Sequence, residues 1–229
     1  MAEYLVLPER SRVHPITDDL PAAHAAFAEP LSCSLHAVER GDVGFEDVVV
    51  VAGVGPIGLG MVVGAKLRNP RCLIAVDSNP DRLGLAEACG ADITIDFTSL
   101  DPVAEVMELT DGYGCDLYLE ATGHPQGVIQ GLEMLCKMGR FVEFSVMREA
   151  TTVDWTIIGD SKELDVRGAH LGAECWQTAI RLLERNSLPM DRIVSHQLPL
   201  EEFARGLELV GDGRSSMKVS LVGFSEGPG

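Results

Sequence analysis

Eighteen consecutive positions, residues 48–65, carry no charge, yet five glycines and Pro56 interrupt them. A stretch of that length could cross a bilayer as a single helix. The glycines and the proline argue against a membrane span, and the order of residue types argues for three elements in succession. The run from Val48 to Val51 is β-branched at every position, as a parallel strand buried on both faces requires. A glycine-rich turn follows, and residues 57–67 then read as an apolar helix that stops before Asn69-Pro70. Strand, tight turn and helix, all buried, are the opening of a βαβ unit.

The same alternation continues along the chain. Residues 72–77, 93–96, 116–121, 140–146 and 164–171 read as strands. Between and after them, helices are expected from Asn79-Pro80-Asp81 to Gly90 and over 101–109, 126–135 and 174–186. Strands separated by single helices predict an α/β fold, a doubly wound (Rossmann) parallel sheet of about six strands. The two ends fall outside this alternation. Residues 3–8 and 217–222 are strand-like, residues 21–40 contain a helix ahead of the first sheet strand, and residues 225–229 are a polar tail.

Composition narrows the partners. With 35 acidic against 18 basic residues and a formal charge of -17, the surface repels phosphate backbones and anionic membranes, so neither nucleic acid nor a membrane is expected as a partner. The six cysteines are scattered singly without a C-x-x-C pair, and they read as buried thiols of a reducing, cytoplasmic compartment. The N-terminus has neither the basic nor the apolar region of a signal peptide.

The segment from Gly53 through Gly55 to Gly58 closes one strand and opens a helix. In that context Gly53 permits the turn, Gly55 lets backbone approach a pyrophosphate, and Gly58 lets helix and strand pack closely. Pro56 and Ile57 complete the loop, and the helix N-terminus supplies donors and a positive dipole end. A glycine turn alone is weak, since buried elements are often joined by one. Asp77 strengthens it: 19 residues beyond Gly58, at the end of the second strand, its carboxylate can accept hydrogen bonds from ribose hydroxyls and repel a 2′-phosphate. The cofactor expected is therefore NAD rather than NADP. Arg82, on the next helix, is near enough to suggest NADP, and reads equally well as a surface helix residue beside the adenine edge.

Beyond these motifs the chain resembles the zinc-dependent medium-chain alcohol and polyol dehydrogenases, a family that includes sorbitol, threonine and erythritol/threitol dehydrogenases. The stretches that carry the resemblance are AEPLSCSLHAVERG (28–41), VAGVGPIGLG (51–60), DSNPDRLGLAEACGAD (77–92), LEATG (119–123), KMGRFVEFSV (137–146) and MKVSLV (217–222). The resemblance implies that Phe144, Ser145 and Val146, and Ala169, His170 and Leu171, flank the nicotinamide. It implies also that Thr122 contacts the cofactor, that Lys218 reaches a cofactor phosphate, and that Glu29 stands beside the catalytic zinc. Without the resemblance, Glu29 reads as an acid favoured by a helix N-terminus and Lys218 as a solvated lysine. Glu29, Cys33 and His36 share one helical stripe, although Cys33 and His36 suit a packed core equally well.

In that family the zinc ligands come from an N-terminal GroES-like domain, and no Gly-His-Glu run or lobe of four close cysteines occurs here. The resemblance therefore implies residues 1–29 as the remnant of that domain, 30–195 as the NAD-binding domain and 196–229 as the return segment. It implies a chain that binds NAD, does not itself retain zinc, and turns over alcohols negligibly. The substrate expected for the whole enzyme is a small polyol or secondary alcohol, with erythritol or threitol the specific expectation. An inactive NAD-binding module and a methyltransferase, which shares a glycine loop and a ribose acid, are the competing readings. The match through LEATG and the closing strand disfavours the methyltransferase. Strand 164–171 could pair with a second copy to give a homo-oligomer.

Overall fold

The computed structural model describes residues 5–223. In chain order the elements are α1 (Ala22–Ala25), α2 (Ala28–Gly41), β1 (Val48–Ala52), α3 (Pro56–Lys66), β2 (Cys72–Asp77), α4 (Pro80–Ala88), β3 (Ile93–Asp96), α5 (Pro102–Leu109), β4 (Cys115–Glu120), α6 (Pro125–Met134) and β5 (Leu135–Glu143). After a short 3-10 turn come β6 (Asp165–Gly168), α7 (Trp176–Glu184), α8 (Met190–Ile193), β7 (His196–Pro199), α9 (Phe203–Asp212) and β8 (Val219–Val222). They form two compact units, residues 30–175 and the two ends together, residues 1–29 with 176–229.

The larger unit is a six-stranded sheet in the order β3-β2-β1-β4-β5-β6. Every neighbouring pair in it is parallel. The order reverses between β1 and β4, and at such a switch point a crevice opens at the carboxyl ends of the strands. Local chemistry explains the elements. All five residues of β1 are buried, as its valines require. Helices α3, α4, α5 and α6 each begin with proline, whose missing N–H costs nothing in a first turn. Asn79 caps α4 by accepting from Asp81 and Arg82 N–H, and Asp101 caps α5 through Val103 N–H.

Alternate strand residues fill the two faces. On one, Val50, Ile74, Val76, Tyr118 and Phe141 pack with Val106, Leu132 and Met134. The Tyr118 and Phe141 rings stack there at 5.3 Å. On the other, Gly41 of α2 lies so close to Leu117 and Leu119 that an added Cβ would sit 2.8 Å from a Leu117 methyl. Helix α2 also packs on α3, with Leu35 and Val38 against Gly64.

Three elements differ from the sequence expectation. Strand β5 starts at Leu135, because Leu135 pairs with Cys115 before an irregularity restores the register at Leu117↔Arg140; Met138 within it has φ 61°. Strand β6 ends at Gly168, so Ala169, His170 and Leu171 follow the strand, and Leu171 has φ 53°. Residues 5–8 form no strand, while Glu3 and Tyr4, like the tail 225–229, lie outside the described residues.

In the smaller unit β7 and β8 pair in parallel. Helix α7 groups with these ends, because His14 stacks on Trp176 at 5.4 Å and Thr17 N–H donates to Glu184. Among the described residues no helix is long and apolar enough to cross a membrane.

Candidate functional site

Because the larger sheet is parallel, all its strands deliver their last residues to one edge. Four successive strands end in acids there: Asp77 on β2, Asp96 on β3, Glu120 on β4 and Glu143 on β5. Each βα unit places a helix N-terminus at the same edge, so backbone donors and positive dipole ends face those carboxylates.

Between β1 and α3, Gly53 and Gly58 occupy positions that nothing larger fits. Gly53 has φ 81°, and a Cβ on it would stand 2.7 Å from the Ala121 carbonyl oxygen. A Cβ on Gly58 would be 1.8 Å from the Gly53 carbonyl oxygen, so the helix crosses the turn backbone to backbone. Gly55 differs, because its Cβ position meets only Arg82 Nη1, at 3.8 Å. Gly55 is the N-cap of α3, Pro56 follows, and no side chain caps that end. Ile57 fixes the turn from below, its carbonyl accepting from Ser34 Oγ at 2.7 Å.

Asp77 is buried at 6% exposure and binds the glycine turn directly. Its Oδ2 accepts from Val54 N–H at 2.8 Å, and its Oδ1 accepts from Ser78 N–H at 2.8 Å and Asn79 N–H at 3.0 Å. A carboxylate offers about four lone-pair positions, so capacity remains on Oδ2 for a further donor. The Arg82 side chain is 23% exposed and its Nη1 lies 4.0 Å from Asp77 Oδ2.

Next to these strand ends lies a cavity of about 360 Å³ lined by Ala52, Val76, Phe97, Thr122, His124 and Gln126 among others. Its apolar walls with a few polar groups suit a flat heterocycle. Thr122 gives its N–H to Glu120 Oε1 at 2.7 Å, and its hydroxyl makes a short bond to the same oxygen. Gly123 N–H adds a third bond at 3.2 Å. Phe144, Ser145 and Val146 follow β5; Ser145 Oγ donates to the Glu120 carbonyl at 3.4 Å, and Val146 is exposed. Ala169 N–H donates to the Glu143 carbonyl at 3.0 Å, which brings the segment carrying His170 and Leu171 to the same edge. The structure thus gathers the glycine turn, Asp77, Arg82, Thr122 and the segments 144–146 and 169–171 along one sheet edge. Lys218 and the exposed Glu29 belong to the other unit. Lys218 there exchanges backbone bonds with Ile193 and His196.

Sequence reasoning gave no role to Glu120 and Glu143. They are register partners on β4 and β5. Glu120 is fully buried, and among the described residues Glu120 Oε2 and Glu143 Oε1 find no hydrogen-bond partner. Burial, and then the charge of Glu120, raise the Glu143 pKa above the ordinary carboxylate range, against the pull of Ser145 N–H. The available signal was an acid ending an apolar strand, the same pattern as Asp77. A carboxyl whose folded pKa is raised stabilises the fold below its unfolded pKa, and that contribution is lost as pH rises through the folded value. Glu143→Gln removes the charge and offers an N–H₂ donor. It is expected to raise the thermal midpoint at neutral pH by roughly 2–4 °C, the equivalent of about 1 kcal/mol. It should also flatten the fall of midpoint with pH above about 4.3. Calorimetry of both proteins across that range checks this, and an unchanged pH slope would refute it.

Comparison with known proteins places the chain. The sequence profile described as zinc-binding dehydrogenase matches residues 56–185. The erythritol/L-threitol dehydrogenase of Mycolicibacterium smegmatis is 57% identical over 222 residues, covering 97% of this chain and 61% of that protein. The alcohol dehydrogenase TADH from Thermus sp. ATN1 superposes with a TM-score of 0.82 at 32% identity, over 91% of this chain and 61% of that one. An alcohol dehydrogenase of Escherichia coli CFT073, solved in complex with cofactor NADH, superposes with a TM-score of 0.80 at 25% identity, over 90% of this chain and 61% of that one. The chain thus spans about three fifths of the length of these relatives.

Proposed function

The chain belongs to the zinc-binding dehydrogenase family, and on that premise we propose that it is the NAD-binding portion of an oxidoreductase that converts a polyol or secondary alcohol to a ketone. The observation that carries this reading is the bond from Val54 N–H to Asp77 Oδ2, which joins glycine turn and ribose acid into one rigid element at the switch point.

The residues present fit a dinucleotide. Gly53 and Gly58 clear a backbone cradle at the uncapped N-terminus of α3, where Ile57 and Gly58 N–H would hold the pyrophosphate. Asp77 would accept from the adenosine ribose, with Arg82 bordering the same acid. The cavity behind Thr122 would take the adenine, and the segments at 144–146 and 169–171 would border the nicotinamide with backbone groups. When bound, NAD supplies the hydride acceptor.

The family's catalytic zinc does not fit this chain's own residues. Among the described residues Glu29 belongs to no group of three metal donors. That observation favours a second reading, a chain that binds NAD without turnover. In the first reading residues 1–29 and 196–229 belong with a catalytic domain and 30–195 hold the cofactor, and an edge pairing of β6 would make a homo-oligomer. The substrate proposed for the whole enzyme is erythritol or threitol, supported by the 57% identical relative. Incubating the purified chain with erythritol or threitol, NAD+ and zinc is expected to give no NADH. Steady NADH formation would overturn the assignment of this chain to the cofactor portion alone.

A further inference from the structure

The stripe of Glu29, Cys33 and His36 on α2 is not what the fold assembles into a donor set. His36 meets different partners: Glu39, one turn further along the same face, and Cys175, from the segment after β6. One ligand atom from each of the three, an imidazole nitrogen, a carboxylate oxygen and a thiol sulfur, lie within 4.8 Å of one another. Donors coordinated tetrahedrally to zinc, with metal distances of about 2.0–2.3 Å, stand roughly 3.3–3.7 Å apart, so this spacing closes onto an ion with small side-chain rotations.

We propose that His36, Glu39 and Cys175 form a binding site for a divalent transition ion of borderline softness, zinc or cobalt, separate from the dinucleotide edge. Three features support it. Spacing of i, i+3 puts His36 and Glu39 side by side on one face of α2. That helix is held rigidly: Ser34 Oγ donates to the Ile57 carbonyl, and Leu35 and Val38 pack against Gly64 of α3. The third donor is fixed as well, because Gly172 approaches α2 so closely that a Cβ would sit 2.1 Å from Ser32 Oγ, and Cys175 N–H donates to the Gly172 carbonyl at 2.8 Å.

Cys175 is 2% exposed, and its Sγ donates to Glu39 Oε2 at 3.3 Å. Burial first, then the hydrogen bond and charge of Glu39, push its pKa up to about 12; the Cys33 thiol adds to this and the Arg68 cation opposes it. In the metal-free protein the sulfur is a thiol. Binding replaces the S–H bond with an S–metal bond and releases one proton, so affinity rises with pH. Half-buried His36 and exposed Glu39 leave a route for the ion, and three protein donors leave a fourth position for water.

Cobalt titration of the full chain after chelator dialysis tests this. One ion per chain, one proton released, and a thiolate-to-cobalt charge-transfer band are expected. His36→Ala and Cys175→Ser should each weaken binding by more than the tenfold to roughly hundredfold cost of an outer-shell change, and Cys175→Ser should abolish the band. Glu39→Gln, at an exposed position, should weaken binding measurably while circular dichroism stays unchanged. Cys89→Ser, outside the cluster, should leave the band intact. A band that survives Cys175→Ser, an affinity indifferent to Glu39→Gln, or no stoichiometric binding would overturn the site.

Discussion

Gly58→Ala is expected to lower the thermal midpoint by about 10 °C, the consequence of a loss of about 3 kcal/mol in a chain of this size. The new methyl would lie 1.8 Å from the Gly53 carbonyl oxygen, and both sides of that collision are backbone. A flexible side chain could swing aside. Here α3 must lift from the turn instead, and its buried run from Gly58 to Ala65 would lose its packing on β1 and β2. Gly55→Ala is the matched control. Its φ of -66° is ordinary for alanine, and its Cβ would meet only Arg82 Nη1 at 3.8 Å. It should leave the midpoint within about 2 °C while weakening NAD binding about tenfold or more, since the methyl fills the approach to the pyrophosphate. Differential scanning calorimetry with cofactor titration separates the two. Equal stability losses would contradict the assignment of Gly58 to packing and Gly55 to the ligand.

Asp77→Asn is expected to weaken NAD+ binding by about tenfold to a hundredfold and to erase discrimination against NADP+. The carboxylate accepts three backbone N–H groups and presents its remaining capacity to the site. An amide of the same shape has one acceptor oxygen, so it must turn its N–H₂ toward Val54 or toward Ser78 and Asn79. An unsatisfied buried donor costs about 1–3 kcal/mol, and stability should fall with affinity. The loss of negative charge removes the repulsion of a 2′-phosphate and leaves a positive charge, Arg82, 4.0 Å from the former carboxylate. NADP+ binding should therefore hold or improve while NAD+ binding falls. A parallel loss for both cofactors would mean that Asp77 acts only by holding the turn.

How much of this was legible before the fold depended on the range of the interaction. The valine run of β1, the prolines opening α4 and α5 and the Asn79 cap act within a few residues, and those elements form where the sequence reads them. The glycine turn and Asp77 were legible for the same reason, since each sits at a fixed step from a strand end. The start of β5 is not legible locally, because Leu135 and Cys136 continue an apolar helical pattern and only pairing with Cys115 draws Leu135 into the sheet. The Glu120 and Glu143 pair was hidden because register between β4 and β5 is set by packing across the sheet. Cys175 meets His36 only through the close contact of Gly172 with Ser32, a tertiary event that no local spacing announces. Arg82 reads as a surface residue by its position on α4, and burial against Asp77 is a property of the β1–β2 crevice rather than of the helix.

Isothermal titration of the unmodified chain with NAD+ and, separately, with NADP+ tests the central claim most directly. The account predicts one site per chain, with NAD+ bound at least about tenfold more tightly, a difference of about 1.4 kcal/mol from the single carboxylate facing the ribose. Equal affinities for the two cofactors, or binding of neither, would contradict it.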